Sequence, residues 1–277
     1  MIVKADIPAF CEIYRVLVRA DDFMYLLPHP ALRDWISNYT ITFPNKNMIS
    51  DNYTVIPHGS ATLVFSCGGN GISGNLFGPA TRPCMVGSHA NQFDMLFIIE
   101  FQPAGLYAFT GILQKELTDH TIPSELINSM LCRLIAELLE NASCIHELIT
   151  GLDRLLLSNL HTAYPSELSQ ATHMIIENAG NIPTKELSGA VYYSERHLNR
   201  IFDQCLGMST KSFSRLVRMN KAIRLLRDSR NSITYACNVT GFYDLPHFIH
   251  DFKSVCGLTP QEYRSSMSDF YSEIAKF

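Results

Sequence analysis

No stretch of this 277-residue chain reaches the roughly 18 consecutive apolar residues that a membrane-spanning helix needs. The most apolar run, MLFIIEF at 95–101, is interrupted by Glu100 and followed by Pro103. The opening MIVKADIPAFCEIYR carries Asp6 and Glu12 where a secretory leader needs an unbroken apolar segment. The expectation is therefore a cytoplasmic protein with no membrane partner. None of the eight cysteines (11, 67, 84, 132, 144, 205, 237 and 256) forms a C-x-x-C pair, so reduced and buried thiols are expected. H-E-x-x-H and G-x-S-x-G are missing too, and with them the local signatures of a zinc hydrolase and a nucleophile elbow. His58 and His89 stand apart from any paired ligand spacing, so neither a metal nor a cofactor is expected.

What is present is an ordinary globular balance, 47% apolar and 17% charged, long enough for two domains with a core in each. The net charge of −4 argues against an all-purpose nucleic-acid binder. Its distribution carries more information. Residues 180–264 hold 12 Lys/Arg against 7 Asp/Glu, and the rest of the chain holds 10 against 19. An acidic amino-terminal body is thus joined to a segment suited to polyanions.

The pattern along the chain predicts an α+β protein with a β-rich, barrel-like amino-terminal domain and an all-α carboxy-terminal domain. A helix is expected around Phe10–Ala20. NYTVIP, ATLVFSC and the fully apolar MLFIIEFQ read as strands, with the glycine- and proline-rich GGNGISGNLFGPATRPC between them. Residues 104–117 read as helical, after which no strand signal remains. PSELINSMLCRLIAELLENA spaces Leu126, Ile127, Met130, Leu131, Leu134, Ile135, Leu138 and Leu139 as one helix face behind a Ser124 N-cap. A second such helix is expected at about 143–160. The expected division is a regulatory domain at 1–120, a connector or dimerisation segment at 121–165 and a helical domain at 166–277, with the boundary at HTAYPSE (161–167).

Within the last segment a unit repeats. SERHLNRIFDQCLGMSTKSF (194–213) and DLPHFIHDFKSVCGLTPQEY (244–263) align at an offset of fifty, matching Ser194 to Asp244, Leu198 to Phe248, Phe202 to Phe252 and Gly207 to Gly257. Each copy reads as a short helix, a tight turn and a second helix that buries one face and frees the other. Ser194 and Asp244 are N-cap residues, and Gly207 and Gly257 suit a left-handed stop. The intervening STKSFSRLVRMNKAIRLLRDSR reads as one long helix, with Phe213, Leu216, Val217 and Ile223 inward and Arg215, Arg218, Lys221 and Arg224 on a basic side.

The ordered pattern S-x-x-x-L-x-R-x-F, G-M-S, R-M-N-K-A-x-x-L-L and G-F-x-D-x-x-x-F-x-x-x-F-K-x-x-x-G-L-T-P-x-x-Y-R resembles the DNA-binding domain of the AraC/XylS transcriptional regulators, over about Leu168 to Arg264. The resemblance implies two helix-turn-helix units held apart by the long helix, with the second helix of each in successive major-groove segments. It places Ser194, Glu195, Arg196, Asn199 and Arg200 on the first reading helix. Asp244, Leu245, His247, His250 and Lys253 fall on the second, and Arg218 on the helix between. Arg200 stands where the family has its usual arginine, suited to guanine or phosphate. The second helix departs from the pattern: before Lys253 it offers Leu245, Pro246, His247, His250 and Asp251, the last repelling phosphate. His247, His250 and Asp251 are spaced as zinc ligands could be, but Phe248 and Phe252 must face the core, which turns the histidines outward.

IPHGSATLVF and FQPAGLYAF resemble motifs in the amino-terminal domain of one branch of the same regulators, with His58 where Asp is usual. Such domains sense a small molecule or mediate dimerisation. Tyr53, His58, Phe65, Phe101 and Tyr107 are candidate pocket residues, and core packing is the competing reading of each. The leucine-rich helices at 124–160 suit an interdomain pair or a homodimer interface. The G-x-G-x-x-G at Gly69, Gly71 and Gly74 lacks the helix a dinucleotide site needs and reads as a strand turn. The expected function is a DNA-binding regulator, no enzyme, with promoter DNA, an effector and, for an activator, RNA polymerase as partners. The rivals are a small-molecule-transforming enzyme with a helical interaction domain, and a DNA repair protein with an acceptor cysteine.

Overall fold

The computed structural model describes residues 1–44, 49–69, 71–160 and 164–267, and the backbone of 270–271. After the short α1 (Asp6–Ala9) come β1 (Val16–Arg19), β2 (Phe23–Leu26), β3 (Ile36–Thr42), β4 (Thr54–Val55), β5 (Thr62–Gly68), β6 (Gly71–Phe77), β7 (Cys84–Met85) and β8 (Met95–Phe101). Next are α2 (Gly105–Thr110), β9 (Thr121–Pro123), α3 (Glu125–Asn141) and α4 (Ile145–Ser158). Seven strands form an antiparallel sheet in the order β1-β2-β3-β8-β5-β6-β9. The apolar MLFIIEF run becomes the central β8, buried along almost its whole length between β3 and β5. A continuous apolar run suits a strand covered on both faces. Gly68 pairs with Gly71 at the end of the β5–β6 ladder, where Gly71 takes φ +97°, a conformation open to glycine but hardly to other residues.

Several local expectations fail for identifiable reasons. The segment expected as a helix at Phe10–Ala20 forms a short 3-10 turn and β1, because its β-branched and aromatic residues find a sheet edge. In NYTVIP only Thr54–Val55 is strand, and 104–117 splits into α2 and a 3-10 turn at Gln114–Glu116. Beyond residue 120, where no strand signal remains, β9 still closes onto β6. Ser124 does not cap α3. The helix breaks at Asn128 (φ −156°), whose side chain accepts from Leu131 N at 3.0 Å and caps the part that follows. That break turns Leu126 out of the core, 74% exposed, and leaves Met130 exposed too. The eight cysteines are unpaired, but Cys11 and Cys84 are exposed rather than buried.

α3 and α4 cover the sheet through Leu131, Ile135, Leu139, Leu148, Leu152 and Leu156, in one core with Leu63, Phe97 and Ile99. A buried polar cluster ties α4 to the strands: Asp153 lies 2.8 Å from Arg15 and accepts from Tyr39 Oη.

The remaining helices are α5 (Ser166–Glu177), α6 (Thr184–Ala190), α7 (Glu195–Leu206), α8 (Thr210–Arg227), α9 (Ile233–Val239), α10 (Leu245–Cys256) and α11 (Pro260–Ser265). They enclose a second core around Leu198, Phe202, Phe213, Phe248 and Phe252. β10 (Phe270–Tyr271) then pairs parallel with β4, which pairs with β7. Of the expected boundary at 161–167, residues 161–163 lie outside the described residues. No described helix is long and apolar enough to cross a membrane.

The halves meet along α7 and α8. Ile56 and Ala104 join the second core, and Asn220 on α8 donates to the Pro57 carbonyl at 3.0 Å. Gly59, at φ +71°, brings the Pro57–Ser60 turn so close that an added Cβ would lie 3.2 Å from the Phe213 ring. Thr118 Oγ1 sits 3.1 Å from the Gly207 carbonyl, against the carboxy-terminal end of α7.

Candidate nucleic-acid interface

Capping fixes where five helices of this domain start. Ser194, Ser209, Ser232, Asp244 and Thr259 all have extended backbone angles, and each accepts from the N–H three residues on, opening α7, α8, α9, α10 and α11. Each such cap is worth about 1 kcal/mol. Gly207 (φ +75°) and Gly257 (φ +79°) end α7 and α10 in the left-handed conformation, as their spacing predicts. Pro246 falls in the first turn of α10, where no helical hydrogen bond is lost.

The two turns differ by one residue. α6 and α7 are joined by residues 191–194, and α9 and α10 by 240–244. Tyr192 holds φ +56° where the second unit has Gly241 at φ +76°. Between the units α8 has 18 residues, about 27 Å at 1.5 Å per residue. Phe213, Leu216, Val217, Met219, Ala222, Ile223 and Leu226 are all buried along it. The sequence marks one inward stripe on this helix. The structure covers it more broadly, because the Pro57–Ser60 turn lies against it as well.

A helix-turn-helix domain model matches residues 187–266, and a model described only as a domain of unknown function matches residues 24–123. Over 84 residues the chain is 32% identical to the uncharacterized HTH-type transcriptional regulator YisR of Bacillus subtilis, covering 30% of this chain and 29% of that one. It is 37% identical over 70 residues to the HTH-type transcriptional activator RhaR of Yersinia pestis, covering 25% of this chain and 24% of that one. Residues 187–266 are a helix-turn-helix domain of the AraC type, similar to the DNA-binding domains of AraC/XylS transcriptional regulators. The chain spans less than a third of the length of these curated relatives. A structure of ToxT from Vibrio cholerae is similar at a TM-score of 0.41 and 11% identity, over 83% of this chain and 93% of that one.

Within this AraC/XylS-type domain the expected DNA-facing residues fall into two groups. Glu195, Arg196 and Arg200 are exposed on α7, and His247, His250 and Lys253 on α10. These are the free faces. The others have structural partners. Ser194 and Asp244 are caps, and Leu245 packs against the core. Asn199 Oδ1 accepts from both the backbone N (3.2 Å) and the hydroxyl (2.6 Å) of Thr210, fastening α7 to the start of α8. Arg218 donates to the Gly180 carbonyl at 3.1 Å and lies 5.0 Å from the Phe242 ring centre. Burial pulls its guanidinium below the ordinary arginine range, against the opposing charge of Asp251. Arg218 thus braces the turn after α5 against the second unit. Gly180 allows that approach, since a Cβ there would meet the Ser214 carbonyl at 2.1 Å.

Asp251 does not stand on the free face of α10. It aligns with Ile201 of the first unit, a core position, and accordingly points inward. Its side chain is 16% exposed, and Arg215 of α8 reaches it at 2.7 Å. Arg215 is therefore engaged as well, and the basic side expected along α8 is in part a set of braces. His247 Nε2 and His250 Nδ1 lie 3.8 and 3.7 Å from the same carboxylate. Among the described residues no group of three His, Cys, Asp or Glu is placed to hold a metal ion. Asp251→Lys would set a third cation beside Arg215 and Arg218, so it is expected to destabilise the helical domain by about 1–2 kcal/mol. Thermal melting by circular dichroism checks this, and an unchanged midpoint would mean that the pair contributes nothing.

Of the five candidate effector residues, Phe101 borders a small cavity of about 20 Å³ under α3, with Leu63, Leu76, Phe109, Ser124 and Leu131. That volume holds about one water molecule. Phe65 is in the sheet core, and Tyr107 is half-buried on α2. Burial pushes the Tyr53 phenol up to about 12, with Arg227 of α8 opposing. His58 is buried in the Pro57–Ser60 turn, its Nδ1 3.0 Å from Ser60 Oγ.

Proposed function

We propose that the chain is a sequence-specific DNA-binding transcriptional regulator acting at a bacterial promoter in the cytoplasm, working by binding and not by turnover. In this reading α7 and α10 enter two successive major-groove segments, about 34 Å apart along one face of the duplex. The observation that carries it is the pair of free faces on α7 and α10, with Arg200 and His250 at matched places and Arg196 and Lys253 beside them, in two copies of one unit joined by a largely buried helix. α7 has the cations and reads bases. α10 has few and chiefly positions the domain. The amino-terminal domain controls this grip where it touches α7 and α8, through a small-molecule effector or a homodimer, and RNA polymerase is the further partner if the regulator activates. An effector larger than water must open the cavity under α3 or bind elsewhere.

The test is selection of genomic fragments by the purified protein at two salt concentrations. Enrichment of one sequence carrying two short blocks a helical turn apart, weaker at the higher salt, is the expected result. Binding with no sequence preference at either salt would overturn sequence-specific regulation.

A further inference from the structure

The turn preceding each reading helix carries a tyrosine that the fold does not use. Tyr192 is 95% exposed and Tyr243 is 98% exposed, the two highest values among the large apolar and aromatic side chains of the described residues. Each turn holds two aromatic residues with the same division of labour. In the first, Tyr193 sets its ring edge-on to His197 at 4.5 Å while Tyr192 points out. In the second, Phe242 sets its ring edge-on to His247 at 5.2 Å while Tyr243 points out. The order of inner and outer residue is reversed, and the second turn is a residue longer. An outward tyrosine nevertheless survives in both.

In the first unit it does so under strain. Tyr192 occupies the left-handed region at φ +56°, where the second unit has glycine. A non-glycine residue there is disfavoured, and such strain concentrates at functional sites. Packing gives no return for it, since the ring lies in water.

We propose that Tyr192 and Tyr243 are paired backbone contacts, their phenol hydroxyls donating to phosphate oxygens at the edge of each major-groove segment. The inference rests on the DNA-binding reading above. A turn that leads into the amino-terminal end of a groove-lying helix runs beside the sugar-phosphate chain, and tyrosine hydroxyls are ordinary phosphate donors. The assignment gives the cation-poor second unit a neutral contact that does not depend on His250 or Lys253.

The experiment measures binding of the full chain, by fluorescence anisotropy, to two duplexes of equal length: the sequence enriched from genomic fragments and a random sequence. Tyr192→Phe and Tyr243→Phe remove only the hydroxyls. Each should weaken binding to both duplexes about 10- to 100-fold, the loss of one hydrogen bond to a charged acceptor. The salt slope should stay unchanged, because no charge is lost. Tyr192→Gly should raise the melting temperature by about 3 °C while weakening binding at least as much as Tyr192→Phe. Wild-type affinity in both Phe variants would overturn the proposal while leaving the regulator reading intact. Failure of the wild-type protein to bind either duplex would remove both.

Discussion

Asp153→Ala is expected to destabilise the amino-terminal domain by about 3–5 kcal/mol, the range for breaking a buried ion pair from one side. Asp153 is 5% exposed on α4 and gathers three distant parts of the chain. Arg15 approaches to 2.8 Å, close enough for charge pairing at an angle poor for a hydrogen bond. Tyr39 Oη and the backbone N–H of His29 each donate to its Oδ1 at 3.0 Å. Burial raises the Tyr39 phenol well above its ordinary range, and the Asp153 charge raises it further, so the donor keeps its proton. Alanine would leave Arg15 buried with only the Leu27 carbonyl, which its Nε reaches at 2.9 Å. The stranded guanidinium makes the loss large, because the net worth of a buried pair is itself small. The double variant Arg15→Met/Asp153→Leu should therefore recover more than half of the loss. Urea midpoints of the three variants decide it, and a single-variant loss below about 1 kcal/mol would mean that water reaches the pair.

The contrast between legible and illegible features follows from what a short window of sequence can hold. The two units, their caps and their glycine stops were readable because each is a local pattern repeated fifty residues apart. The outward histidines of α10 followed from Phe248 and Phe252, which had to be buried. Strands of two or three residues, β4, β7 and β9, are too short to show a period, and partners far along the chain define them. The break in α3 is invisible in the sequence because Leu126 and Met130 continue the apolar spacing across it. Asn199, Arg215 and Arg218 act as braces that the sequence hides, because a polar residue that ties two helices together looks, in sequence, like one that faces solvent. The repeat itself held a clue for Asp251: its counterpart Ile201 is a core residue, so the aspartate had to turn inward and find a cation. Tyr192 could have been suspected from the glycine at the matching place in the other turn.

Arg200→Ala is expected to lower affinity for the selected sequence by about 10- to 100-fold, the discrimination one good bidentate contact provides. Affinity for random DNA should fall much less, and the melting temperature should not move. Arg200 is exposed on α7, with its Nη2 3.2 Å from His197 Nδ1, so nothing in the core depends on it. Asn199→Ala, one residue earlier, should behave in the opposite way. It removes both bonds to Thr210, leaving a buried hydroxyl and N–H at the start of α8, and should cost about 1–3 kcal/mol of stability. Its loss of binding should be recovered at lower temperature, whereas that of Arg200→Ala should not. Arg200→Lys separates the two modes of contact. A lysine keeps the charge but not the planar fork, so it should rescue random-DNA binding without restoring preference for the selected sequence. Equal footprints from wild type and Arg200→Ala would exclude α7 as the base-reading helix. The sequence preference would then have to come from α10, whose only fully charged residue on the free face is Lys253.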